Sequence, residues 1–162
     1  PAGLPDRDGV GATDPCAATS LTNLAGLLRA TGDSAAARPL LERALAITEQ
    51  VLGRDHPDTA TSLTNLAGLL RATGDSAAAR PLLERALAIT EQVLGRDHPD
   101  TATSLTNLAG LLRATGDSAA ARPLFERALA IREQVLGRDH PHTQIVRGNL
   151  ARLLEAMGAA AG

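Results

Sequence analysis

The sequence predicts an all-α fold, a solenoid of antiparallel helix pairs, and three observations carry that prediction. First, a 42-residue segment recurs. Thr19 to Ala60 and Thr61 to Ala102 are the same letters, and Thr103 to Gln144 departs from them only at Phe125, Arg132, His142 and Gln144. Repetition at such a period is the signature of stacked supersecondary units. Second, Ala and Leu fill the apolar share of the composition and, with Arg and Glu, are among the better helix formers, while β-branched aliphatics are few and Phe125 is the single aromatic residue. Third, glycine and proline punctuate every copy at the same places, which marks the ends of regular elements.

Each unit reads as two helices. The first runs from about Pro57 to Thr73. Proline is tolerated in a first helical turn, where its missing N–H is an orphan anyway, and acidic Asp58 faces the positive end of the helix dipole. Leu63, Leu66, Ala67 and Leu70 fall at helical spacing. Gly74 closes the helix at the position that favours a left-handed residue. Asp75 or Ser76 then caps the second helix, which runs to about Leu94 and stops at Gly95, with Leu82, Leu83, Ala86, Leu87 and Ile89 as its buried face. Pro81 sits early in that helix and removes a backbone donor.

One such hairpin cannot bury its apolar face alone, so neighbours must stack into a continuous core. The copies divide the chain into units of about 14–55, 56–97 and 98–139, followed by a capping helix over 142–158. Repeat-like sequence begins near residue 14, because Asp14-Pro15 stands in the place of His56-Pro57. Pro1 to Thr13 is rich in Pro, Gly and Asp and predicts a disordered segment; residues 159–162 predict a flexible tail. After Gly158 the Asp-Ser capping pair of the earlier copies becomes Ala159-Ala160, so no further second helix is specified. That points to a chain end, whereas the absence of a starting Met points to the C-terminal part of a longer protein.

Charge and cysteine content exclude several function classes. The net charge is −2, and all 16 basic residues are Arg. A nucleic-acid binder is expected to show a basic excess and stacking aromatics, and this chain has neither. No apolar run approaches the ~20 residues that span a bilayer, and no signal-peptide pattern opens the chain. The lone Cys16 rules out an internal disulfide and fits a reducing compartment. The Arg-only, Ala-rich bias is that of a GC-rich coding genome. A bacterial, cytoplasmic protein with no nucleic-acid or membrane partner is expected.

At these residues the sequence resembles the tetratricopeptide repeat (TPR) family, in a 42-residue form similar to kinesin light chain. Leu66, Ala67 and Leu70 fall on the first-helix signature, Gly74-Asp75 on the turn, and Ala79, Leu83 and Ala86 on the second-helix signature. Phe125 stands where the family often has an aromatic. The run from Glu91 to Asp100 resembles the extended helix and loop of the kinesin light chain type. Leu21, Leu63 and Leu105 replace the family's bulky first-helix ring, which argues against aromatic pockets for a ligand. The resemblance covers about residues 14 to 158. It implies a right-handed superhelical solenoid of three units plus the capping helix, with the first helices lining a concave groove that binds a protein or peptide.

Carried over residue by residue, that groove holds a row of asparagines (Asn23, Asn65, Asn107, Asn149). Threonines (Thr22, Thr64, Thr106) flank it beside an arginine stripe (Arg29, Arg71, Arg113). Arg152 stands at a groove position in the last unit. An Asn amide offers donor and acceptor to a peptide backbone, Gly68 and its equivalents leave room, and Arg takes a carboxylate bidentately. Glu84, Glu91 and Asp97 belong to the second helix or its loop, so a positive groove and an acidic peptide are expected. Alternatively, the asparagines bond to the adjacent repeat and the arginines form an ordinary solvated face. In the last unit Ile145, Gly148, Arg152 and Glu155 break the pattern, as a cap does.

Catalysis and metal binding are not expected. His56, His98 and His140 recur once per repeat, so stacked helices hold them roughly 10 Å apart, while zinc ligands lie about 2 Å from the ion. His140 and His142 form a His-x-His without a third ligand. Identical copies do not bring nucleophile, base and orienter together. Neither a cofactor nor a phosphate loop is indicated. The sequence thus points to a scaffold module that holds an extended, acidic peptide. Two alternatives are a structural repeat that self-associates head to tail, and the C-terminal sensor arm of a larger bacterial signalling ATPase or protease.

Overall fold

The computed structural model describes residues 14–159. Among them are seven helices: α1 Pro15–Ala30, α2 Ser34–Val51, α3 Pro57–Ala72, α4 Ser76–Val93, α5 Pro99–Ala114, α6 Ser118–Leu136 and α7 Pro141–Ala159. The expected disorder over 1–13 lies outside the described residues, as do residues 160–162. The last helix starts one residue before the expected boundary and runs one past Gly158, so Ala159 belongs to the helix rather than to a tail. Gly158 lacks the following Asp-Ser pair that would start another helix.

Each helix end has a local cause. Asp75 Oδ1 accepts the Ala78 N–H at 3.1 Å, and Asp33 and Asp117 do the same one unit away. Gly74 adopts φ +88° after α3, a conformation that costs glycine nothing. The Asp75 N–H then reaches back to the Leu70 carbonyl at 2.8 Å, satisfying an orphan acceptor of α3. Asp14 Oδ1 caps α1 by accepting the Cys16 N–H at 2.9 Å, whereas the later odd helices are capped by histidine: His56 Nδ1 accepts the Asp58 N–H at 3.1 Å, and His98 and His140 repeat the bond. Pro81 costs little because it is exposed, and the Ala77 carbonyl it leaves without a donor lies on the same exposed turn.

Helices pack as hairpins (α1–α2, α3–α4, α5–α6), and each even helix also lies against the next odd helix. Alanine makes the closest approaches: Ala25, Ala67, Ala109, Ala37, Ala79 and Ala121 are fully buried. Leucines fill the space between them, with Leu63, Leu69, Leu105 and Leu111 at 1% exposure or less, and Phe125 enlarges the third unit's core. Leu82 and Leu87, expected on the buried face of α4, are only half-buried at its margins.

Polar ties fix the joints between units. Thr48 Oγ1 lies 3.3 Å from Ser62 Oγ in a buried contact, and Thr90 meets Ser104 identically. Thr59 is fully buried and donates to the Gly53 carbonyl at 2.7 Å. Arg85 pairs with Glu49 of the preceding unit and donates to the Arg54 carbonyl at 2.8 Å. Arg127 repeats this with Glu91 and the Arg96 carbonyl.

Candidate functional site

Consecutive odd helices touch one another (α1–α3, α3–α5, α5–α7), whereas the even helices come together only through long side chains. The odd layer therefore has the shorter radius and forms the inner face. On it stand the candidate residues. Asn65, Asn107 and Asn149 are half-buried and Asn23 is exposed. Among the described residues none of these amides makes a hydrogen bond to the protein, so the asparagines do not tie one repeat to the next.

Threonine hydroxyls beside them are oriented by their own helix. Thr22, Thr64 and Thr106 donate to the carbonyls of Ala18, Ala60 and Ala102 at 2.9, 2.9 and 2.7 Å. Their hydrogens are engaged, which leaves the oxygens as acceptors. Glycine leaves the floor open: a Cβ added at Gly26 or Gly68 meets nothing within 4 Å, and one at Gly110 meets Arg71 Nη1 at 3.5 Å. Arg71 thus extends from α3 over α5. A cleft here brings Arg29, Asn65, Arg71 and Asn107 together from three helices. Arg113 and Arg152 are exposed, and Arg152 stands where the preceding unit has Gly110.

The expected positive groove needs correction. Asp58 and Asp100 line the clefts between α1 and α3 and between α3 and α5, next to Thr61 and Asn65. Asp58 and Asp100 sit in the first turns of α3 and α5, while Arg71 and Arg113 sit in their last turns. Side chains in opposite end turns of parallel helices fall on opposite rims, one acidic and one basic. Each sign complements the helix dipole at its end. The glutamates of the even helices do not make the outside uniformly negative either, since Glu49 and Glu91 are paired with arginine.

Arg132 was not a candidate from the sequence. It replaces the buried Thr90 of the preceding unit, and its Nη2 donates to Thr103 Oγ1 at 2.7 Å on the groove wall. Burial lowers its affinity for the proton, which nearby Asp100 partly restores. Opposite it, Val146 replaces the Ser104 that Thr90 contacts. The matched pair of substitutions was visible in the sequence, but the reach into the groove was not. Among the described residues no group of three His, Cys, Asp or Glu converges as metal ligands, and the His140 and His142 rings simply stack 5.3 Å apart. No described helix is long and apolar enough to cross a membrane.

A tetratricopeptide repeat model matches residues 16–92, 65–134 and 106–161. The fold is similar to that of the nearly identical TPR-like repeats of a kinesin light chain from Podosopora anserina. The TM-score is 0.83 at 32% identity, over 90% of this chain and 69% of that one. BtubC (BKLC) from P. vanneervenii gives a TM-score of 0.80 at 26% identity, over 90% of this chain and 58% of that one. The N-terminal domain of stress-induced protein-1 from C. elegans shares the fold alone, at TM-score 0.60 and 15% identity, over 86% of this chain and 95% of that one. No curated protein matches the chain. With its repeats matched from Cys16 through the last helix, and with a relative of the same repeat type, the chain belongs to the tetratricopeptide repeat family and carries kinesin light chain-like units.

Proposed function

We propose that the chain is a scaffold that holds an extended peptide along the inner face of its odd helices. The observation that carries this reading is the row of half-buried asparagine amides with no partner in the protein. The amides keep contact with water and are committed to no group of the protein, and a peptide backbone laid along the row supplies both a donor and an acceptor to each of them. The rim of Arg29, Arg71 and Arg113 favours acidic side chains on one edge of that peptide, while Asp58 and Asp100 exclude them from the other. The preferred ligand is therefore an extended peptide with acidic residues along one edge, rather than a uniformly acidic one.

A random twelve-residue peptide library panned on the chain tests this directly. The control is the Asn65→Ala, Asn107→Ala, Arg71→Glu, Arg113→Glu variant, checked by circular dichroism to be folded. Acid-bearing peptides are expected to enrich on the wild type and be lost from the variant. The same enriched set on both proteins, or none on either, sinks the proposal.

A further inference from the structure

Successive odd helices enclose clefts of one plan, and at one joint the chain fills that place itself. Between α3 and α5 lies a cleft of about 200 Å³. Asp58, Thr61 and Asn65 line it from α3, Asp100 and Thr103 from α5, and Thr90 of α4 from below. The cleft between α1 and α3 is built alike, with Thr48 in the place of Thr90.

At the joint of α5 with α7 the residue in that lower place is Arg132. Its Nη2 donates to Thr103 Oγ1 at 2.7 Å, Asp100 acts on it electrostatically, and its Nε is shielded from water. A second letter changes with it: His142 stands where Asp100 stands one unit earlier. The joint that carries its own guanidinium has given up one of its two carboxylates. Asp58 and Thr61 stand to the α3–α5 cleft as Asp100 and Thr103 stand to Arg132. Thr61 Oγ1 donates to the Pro57 carbonyl, as Thr103 does to Pro99, which leaves its oxygen to accept. No arginine lines the α3–α5 cleft among the described residues. Each carboxylate lies 3.7 Å from Nδ1 of the histidine capping its own helix, and that nitrogen is already an acceptor.

We propose that the α3–α5 cleft is a subsite for an arginine side chain of the ligand peptide, seated between Asp58 and Asp100 with Thr61 accepting from its guanidinium. That the arginine arrives on a peptide rests on the function proposed above; that the cleft takes a guanidinium rests on Arg132. Asn65 belongs both to this cleft and to the amide row, so a side chain seated here leaves from a backbone lying along that row. The planar fork of arginine bonds a carboxylate and a hydroxyl together, whereas a lysine ammonium is a more strongly hydrated point charge. The peptide then carries arginine on the edge facing the first turns of α3 and α5, and acid on the edge facing Arg71 and Arg113.

The probe is N-acetyl-arginine methylamide, titrated into the whole isotopically labelled chain and followed by amide chemical shifts. The largest shifts should fall on residues 58–65 and 100–104 and should saturate. The lysine analogue should bind at least about three-fold more weakly. Asp58→Asn, at an exposed carboxylate, should leave the melting temperature near that of the wild type and weaken arginine binding at least about ten-fold. Thr90→Arg with Ser104→Val, which copies the α5–α7 joint, should abolish it. No saturable shift, largest shifts elsewhere, or binding that survives Asp58→Asn overturns the proposal, whatever the peptide library yields. Free arginine should bind no tighter than the blocked probe; tighter binding would make a free amino acid the ligand and overturn the peptide assignment. A library that enriches nothing while the titration succeeds sinks the groove peptide and leaves the guanidinium site standing.

Discussion

The joint between α4 and α5 and the joint between α6 and α7 solve one packing problem with different residues. At the first, buried Thr90 meets Ser104, and Arg127 of the next even helix secures Glu91. At the second, no described even helix follows α7. Val146 replaces the serine, Arg132 turns into the groove, and Arg147 stands where Leu105 is fully buried in the preceding unit. Arg147 Nη2 holds Glu133 at 2.6 Å, so the final odd helix supplies from within the cation that an even helix supplies elsewhere. The difference teaches that a residue's letter in a repeat protein answers to which neighbour it faces, not to its place in the unit.

The largest test of that comparison removes a leucine from each joint. Leu108→Ala, at a position 6% exposed, should cost about 2–5 kcal/mol in urea denaturation. Leu150→Ala, the half-buried equivalent on α7, should cost less than half as much, because less area returns to water. Equal costs would mean that α7 is held as firmly as an internal helix. A smaller effect comes from the buried hydroxyl pair: a double-mutant cycle of Thr90→Val and Ser104→Ala should give a coupling of about 0.5–1.5 kcal/mol.

The smallest effect concerns acid. The hydrogen bond from Arg147 holds the Glu133 carboxyl below its ordinary value, with burial opposing and Arg138 assisting. A carboxyl whose proton affinity is lowered on folding stabilises the fold fully above its unfolded value. That contribution fades as pH falls through the lowered folded value. The melting temperature of the wild type should therefore exceed that of Arg147→Ala most at neutral pH, and the gap should shrink on acidification to about pH 3. A gap that grows in acid would remove Glu133 as the group responsible.

Much of this architecture was legible in the letters because its causes are local. Asp75 caps three residues ahead, Gly74 needs only its own φ, and the leucines of α3 repeat at the helical period. What escaped was set by residues distant in sequence. The pairing of Glu49 with Arg85 spans 36 positions, and the approach of Arg71 to Gly110 spans three helices of chain. Both depend on how far each unit rotates over the last, which no single unit records. The acidic rim was missed for another reason: Asp58 was fully accounted for as a helix-dipole partner, although its carboxylate also faces the cleft.

Identical units also carry a consequence for how the chain reaches its fold. With Thr19 to Ala60 and Thr61 to Ala102 indistinguishable, α2 fits α5 as well as it fits α3. A collapsed state that loops out one unit keeps native-like contacts everywhere else. Closing a loop of about 42 residues rather than a short turn adds only about 1–2 kcal/mol of entropy cost, so what rejects this state is the burial forfeited by the excluded pair. One address lies toward the far end, where Glu133 holds Arg147, which stands where the earlier units have leucine. Refolding should therefore pass through out-of-step intermediates that resolve as the excluded pair is reburied and the last joint forms.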